Sequence, residues 1–90
     1  MQKETGEKIN RLKVRINGED YYIKGAASTD YIKQVALYVD KKISSLSKNH
    51  PQLSMTKITI LAALNITDEL FKMKQEYEEF LAMLESEQKG

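Results

Sequence analysis

Apolar and polar positions follow three rhythms along the chain. Leu12, Val14 and Ile16 alternate with Lys13, Arg15 and Asn17, the period-two pattern of a half-buried strand. Asn17-Gly18 follows at once. Both residues tolerate positive φ, so the pair predicts a tight hairpin turn. Tyr21, Tyr22 and Ile23 give a second, shorter strand, broken by Gly25-Ala26-Ala27. A lone hairpin is marginal in water, so its apolar face is expected to lie on a helix. Glu19, Asp20, Tyr22 and Lys24 are expected to face outward.

The period then lengthens. Ser28 is a good N-cap, with Asp30 in the first turn, where the helix dipole favours negative charge. Ile32, Val35, Ala36, Val39, Ile43 and Leu46 fall within about 100° of one another on a helix and predict a core stripe. The opposite face carries Lys33, Leu37, Lys41 and Lys48. A single exposed leucine is ordinary; ringed by lysines, Leu37 is also a candidate centre for a docking patch. Lys48 to Gln52 form a connecting loop, because Pro51 cannot continue a helix and biases His50 away from helical dihedrals.

Ser54 predicts the cap of a second helix, with Leu53 placed to staple onto Ile58. No proline or glycine interrupts Met55 to Lys89. Ile58, Ile60, Leu61, Ala62, Ala63 and Leu64 point all round the wheel, which predicts burial on every side. From Asp68 a polar face opens, and the apolar residues narrow to Ile66, Leu70, Met73, Tyr77, Phe80 and Leu84. Their steps alternate four and three, the rhythm of a helix lying on another helix. At about 1.5 Å per residue this helix runs roughly 50 Å, against nearer 30 Å for the first. Met73 to Leu84 then have nothing in the same chain to cover them, and leaving such side chains in water forgoes roughly 1.5 to 3 kcal/mol each. An oligomer is expected, with Ala63, Ile66, Leu70, Met73, Tyr77, Phe80 and Leu84 as its interface. Asn65, at the edge of the buried zone, either hydrogen-bonds across the helix contact or reaches water.

Together these patterns predict an α+β chain: an N-terminal β-hairpin, one helix, then a long C-terminal helix, assembling as a helical dimer ending in a short coiled coil. Residues 1–9 are expected to be a disordered tail, 10–53 a head of hairpin and first helix, and 54–87 the long helix. Ninety residues allow one domain at most.

Composition narrows the function. The net charge is +1, from 14 basic and 13 acidic side chains. That balance argues against nucleic acid as a partner, since such domains usually carry a basic excess. With no cysteine, disulfide and thiolate chemistry are excluded, and a reducing compartment is natural. No apolar run approaches the roughly 20 residues that cross a bilayer, and the first residues lack an apolar signal region, so a cytoplasmic protein is expected. His50 is the sole histidine and sits in a loop beside proline. The four glycines are scattered and form no phosphate-binding loop. Glu76, Glu78, Glu79, Glu85 and Glu87 lack the paired Glu-x-x-His spacing of di-metal bundles and read as a solvated face. No catalytic, cofactor or metal site is expected; what remains is interaction.

V-R-I-N-G-E-D-Y-Y-I (Val14 to Ile23), Y-V-D-K-K-I (Tyr38 to Ile43) and L-A-A-L-N-I-T-D-E-L-F-K-M-K (Leu61 to Lys74) together resemble the ZapA family of bacterial cell-division proteins, over about Leu12 to Glu85. The block after a β-β-α head carries the specificity; the hairpin motif alone is weak. The resemblance implies a non-enzymatic factor that binds and crosslinks or bundles protofilaments of the tubulin-like GTPase FtsZ, promoting Z-ring assembly at mid-cell. It implies a homodimer, with a homotetramer left open, and an FtsZ-binding surface in the charged head. Here Glu19 stands after Gly18 where some members carry a basic residue, which shifts the expected surface toward the first helix: Lys33, Leu37, Lys41 and Lys48, with Lys24 and Glu19 beside them. The alternatives are a helical dimeric adaptor for another partner, or a nucleic-acid-associated protein using Lys13, Arg15 and the first-helix lysines.

Overall fold

A computed structural model describes residues 9–89. It contains two strands, β1 (Asn10–Ile16) and β2 (Glu19–Gly25), and two helices, α1 (Thr29–Asn49) and α2 (Met55–Lys89). The order and types match the α+β arrangement expected from the pattern. All but Ile9 of the expected N-terminal tail lies outside the described residues.

The strands pair antiparallel, with Val14 opposite Tyr21 and Leu12 opposite Ile23. Both strands are longer than alternation alone suggests. Once Asn17 (φ 55°) and Gly18 (φ 79°) close a two-residue turn, Ile16 and Glu19 are brought opposite each other whatever their polarity. Glu19 therefore lies on the same face as Tyr21, whose hydroxyl approaches its carboxylate at 3.4 Å. It is not on the outer row with Asp20, Tyr22 and Lys24. The turn is pinned from below. Asn17 donates its backbone N–H to Asp40 Oδ1 of α1 at 2.7 Å, and its side-chain amide reaches Met55 Sδ at the start of α2.

The caps form as expected. Ser28 Oγ accepts from the Tyr31 N–H at 3.1 Å, and Ser54 Oγ accepts from the Lys57 N–H at 3.3 Å. Between the helices, the Leu53 N–H closes a turn onto the His50 carbonyl.

α1 divides its apolar stripe between two neighbours. Ile32 and Ala36 pack with Val14, flanked by Leu12 and Ile16. Ile43 packs with Ile58 and Ala62, flanked by Ile16, Val39, Leu46 and Leu53. Among the described residues, Ile16 alone packs against both clusters. Val35, expected in the core, is exposed instead. α1 lies mainly on β1, so the inner face of β2 and this edge of α1 stay open. The start of α2 also differs from expectation. Ile58 and Ala62 are buried and Leu61 half-buried, but Ile60, Ala63 and Leu64 are exposed. A single neighbouring helix covers only one side of α2.

The molecule measures 54 × 45 × 16 Å. At 35 residues and about 1.5 Å each, α2 runs about 52 Å, nearly the longest dimension, and its second half stands clear of the head.

Ile58, 1% exposed, joins α2 to the head. Ile58→Ala is expected to cost about 2–5 kcal/mol in urea unfolding. Asn17→Gly should be tolerated. Asn17→Val, forced to positive φ, should cost about 1–2 kcal/mol by the same measurement.

Candidate functional site

Three surfaces stand out, together with one polar cluster that ties the head to α2. The first surface is the free half of α2. Leu70 (60% exposed), Met73, Tyr77, Phe80 (55%) and Leu84 all face solvent within the single chain. Ile66 is half-buried and Ala63 exposed, so the row begins at the edge of the head and runs outward. The four-three spacing puts these seven residues on one side of the helix. A second row, not anticipated from the heptad, consists of Ile60, Leu64 and Phe71, the last two 63% and 65% exposed. It lies about 130° round the helix from the first. Its signal was present in the sequence as apolar residues at steps of four and seven. It was hidden because Ile60 and Leu64 fell in a stretch that looked buried on all sides.

The second surface is cationic. The outer row of β1 carries Arg11, Lys13 and Arg15, facing Lys24, Tyr22 and Asp20 on β2. Arg15 Nε donates to Asp20 Oδ1 at 3.0 Å, and Lys13 stands 4.0 Å from the same carboxylate. The hydrogen bond from Arg15 holds the Asp20 carboxyl below its ordinary range. Lys13 and Arg15 meet Lys33 and Leu37 of α1 around a shallow depression of about 310 Å³, with Val14 and Ala36 also lining it. Lys41 and Lys48 line a neighbouring depression of about 260 Å³ with Ser44 and Ser45. Four of the expected partner-binding residues thus share one face of α1. Lys24 and Glu19 do not join them: Lys24 lies opposite Arg11 at the far end of the hairpin, and Glu19 at the turn. The cations of β1, expected beside the first-helix lysines only in the nucleic-acid alternative, do join through the packing of β1 on α1.

The third surface is an apolar groove of about 220 Å³ between the hairpin and α1, edged by Ile23, Tyr31 and Val35.

The polar cluster closes the contact between the helices. Glu69 accepts from the Tyr38 hydroxyl on Oε1 and from the Lys42 ammonium on Oε2. Lys42 also donates to Asn65 Oδ1 at 3.2 Å and lies 5.4 Å from the centre of the Tyr38 ring. Asn65 therefore does bond across the helix contact. Hydrogen bonds from Lys42 and then Tyr38 hold the Glu69 carboxyl below its ordinary range. The bond to Glu69 in turn raises the Lys42 ammonium and the Tyr38 phenol.

Among the described residues, no group of three His, Cys, Asp or Glu side chains is placed to hold a metal ion. Nor, among these residues, is any helix long and apolar enough to cross a membrane. The surfaces available for recognition are the apolar rows on α2 and the cationic strip on the head.

Comparison with known proteins agrees with that architecture. Residues 12–89 match the family model described as cell division protein ZapA. A protein of that name from Geobacillus kaustophilus is 41% identical over 86 residues, covering 96% of this chain and 94% of the relative. One from Shouchella clausii is 41% identical over 78 residues, covering 87% and 97%. A solved structure described as a ZapA mutant dimer from Geobacillus stearothermophilus superposes with a TM-score of 0.71 at 36% identity. It covers 94% of this chain and 99% of that one.

A pH dependence follows from the polar cluster and from the Arg15–Asp20 pair on the hairpin. The lowered carboxyls Glu69 and Asp20 contribute stability above the ordinary carboxylate pKa, and it is lost as pH falls through their lower folded values. The raised Lys42 and Tyr38 contribute below their ordinary values and lose it as pH rises through their raised ones. The thermal midpoint should be flat through neutrality and fall below about pH 4. Glu69→Gln should shrink that acid limb without abolishing it, since Asp20 remains.

Proposed function

Because the chain belongs to the ZapA family of cell division proteins, we propose that it is a non-enzymatic, cytoplasmic division factor. In this reading it dimerises, binds FtsZ protofilaments and crosslinks them into bundles, promoting Z-ring assembly at mid-cell. The observation that carries this is the row from Leu70 to Leu84, exposed on a helix that outruns its own head. Covering such side chains is worth roughly 1.5 to 3 kcal/mol each. A second copy of the same helix is the simplest cover, and the Geobacillus stearothermophilus relative is described as a dimer.

Dimerisation supplies the mechanism. Two identical heads related by a two-fold axis present two identical weak sites. A protein with two such sites bridges two filaments and gains avidity without any new contact. The docking face proposed for FtsZ is the cationic strip of α1 centred on Leu37, with Lys33, Lys41 and Lys48, extended by Lys13 and Arg15 of β1. Lys24 and Glu19 lie outside that strip and are proposed only as flanking contacts. A strip of this kind suits an acidic partner surface with one apolar anchor, and its contribution should weaken with salt.

Sedimentation of FtsZ filaments with and without the protein tests the proposal. Co-pelleting and bundling are expected; their absence would refute the function. Lys33→Glu combined with Lys41→Glu should weaken bundling while the dimer persists. Unchanged bundling would move the docking face to the hairpin. Leu70→Asp or Phe80→Asp should give a monomer by light scattering and abolish bundling; an unchanged mass would refute this row as the interface.

A further inference from the structure

We propose that Tyr38, Lys42, Asn65 and Glu69 form a polar clasp that sets the angle between the head and the free half of α2. The four residues are two pairs spaced one helical turn apart. Tyr38 and Lys42 lie on α1; Asn65 and Glu69 lie on α2. Lys42 bonds to both partners on α2, and Glu69 to both partners on α1. Each Glu69 oxygen has its own donor, so the carboxylate is fixed in its plane as well as in its place.

The position of the clasp gives it leverage. Below it the helices meet through few large side chains: Ile43 against Ile58 and Ala62, with Val39, Leu46 and Leu53 at the edges. Above it α2 runs on exposed from Leu70 to Leu84. Apolar packing of that size is non-directional and lets one helix roll on the other. Hydrogen bonds demand alignment and resist rolling. A one-turn slip of about 5.4 Å would also take Glu69 away from Lys42 or Tyr38. The pairs lie at a partly exposed edge, with the Glu69 side chain 37% exposed, where ion pairs add little to stability. Their value is therefore in geometry: they hold α2 in one direction relative to the head. This concerns the chain's own shape and stands whatever the head binds.

The absence of cysteine in the sequence makes the test direct. Gln34→Cys on α1 and Glu76→Cys on α2 carry two spin labels, and labelled chains are diluted into excess unlabelled protein. The distance distribution between the labels is then compared with that of the same protein carrying Tyr38→Phe and Glu69→Gln. A narrow single distribution should broaden roughly twofold, with unchanged helical circular dichroism and unchanged mass. An identical width and mean would overturn the proposal. If the double variant does not fold, Tyr38→Phe alone removes one hydroxyl and is judged by the same two readings.

Discussion

A 35-residue helix cannot be covered by one of 21 residues, and the rest of the molecule follows from that mismatch. α1 spends its first half on the hairpin and its second on the start of α2. Among the described residues, none remains to cover the stretch beyond Glu69. Apolar side chains placed there at coiled-coil spacing are a cost in the isolated chain and an advantage in an assembly. Fold and proposed function meet here: the same row that leaves the monomer incomplete would hold two heads together.

The head itself is small, and polar contacts do much of its positioning. Asp40 holds the hairpin turn by its backbone, Ser28 and Ser54 start the helices, and Tyr38, Lys42 and Glu69 close the junction with α2. The apolar core is two modest clusters linked through Ile16. Such a design leaves the outer surface free for charge. Where β1 passes α1, cations from both elements gather around Leu37. For the proposed crosslinking role, weak sites would be sufficient, because joining two of them supplies the avidity.

The elements were legible in the sequence because each rests on a local rule. Period two marks β1, Asn17-Gly18 marks the turn, serine caps open both helices, and Pro51 separates them. The four-three row from Ile66 to Leu84 was legible for the same reason. What escaped depends on which neighbours a residue meets. Val35 shares the stripe of Ile32 but sits where α1 overhangs the open inner face of β2. Ile60 and Leu64 have the composition of a core, yet only one helix lies against α2. Lys13 and Arg15, grouped with the first-helix lysines in the sequence only for a nucleic-acid surface, reach the Leu37 patch through packing of β1 on α1. Glu19 turned to the Tyr21 face because a two-residue turn fixes the register. Resemblance to a family added the proposed partner and role, which no residue pattern here could name.

In the proposed assembly the exposed face of α2 holds two chains together. Sedimentation equilibrium of the unmodified protein over a wide concentration range tests it most directly. The expected mass is about twice that of the 10.4 kDa chain and persists on dilution to low micromolar concentration, as a large apolar interface requires. A mass of one chain at every concentration would contradict it.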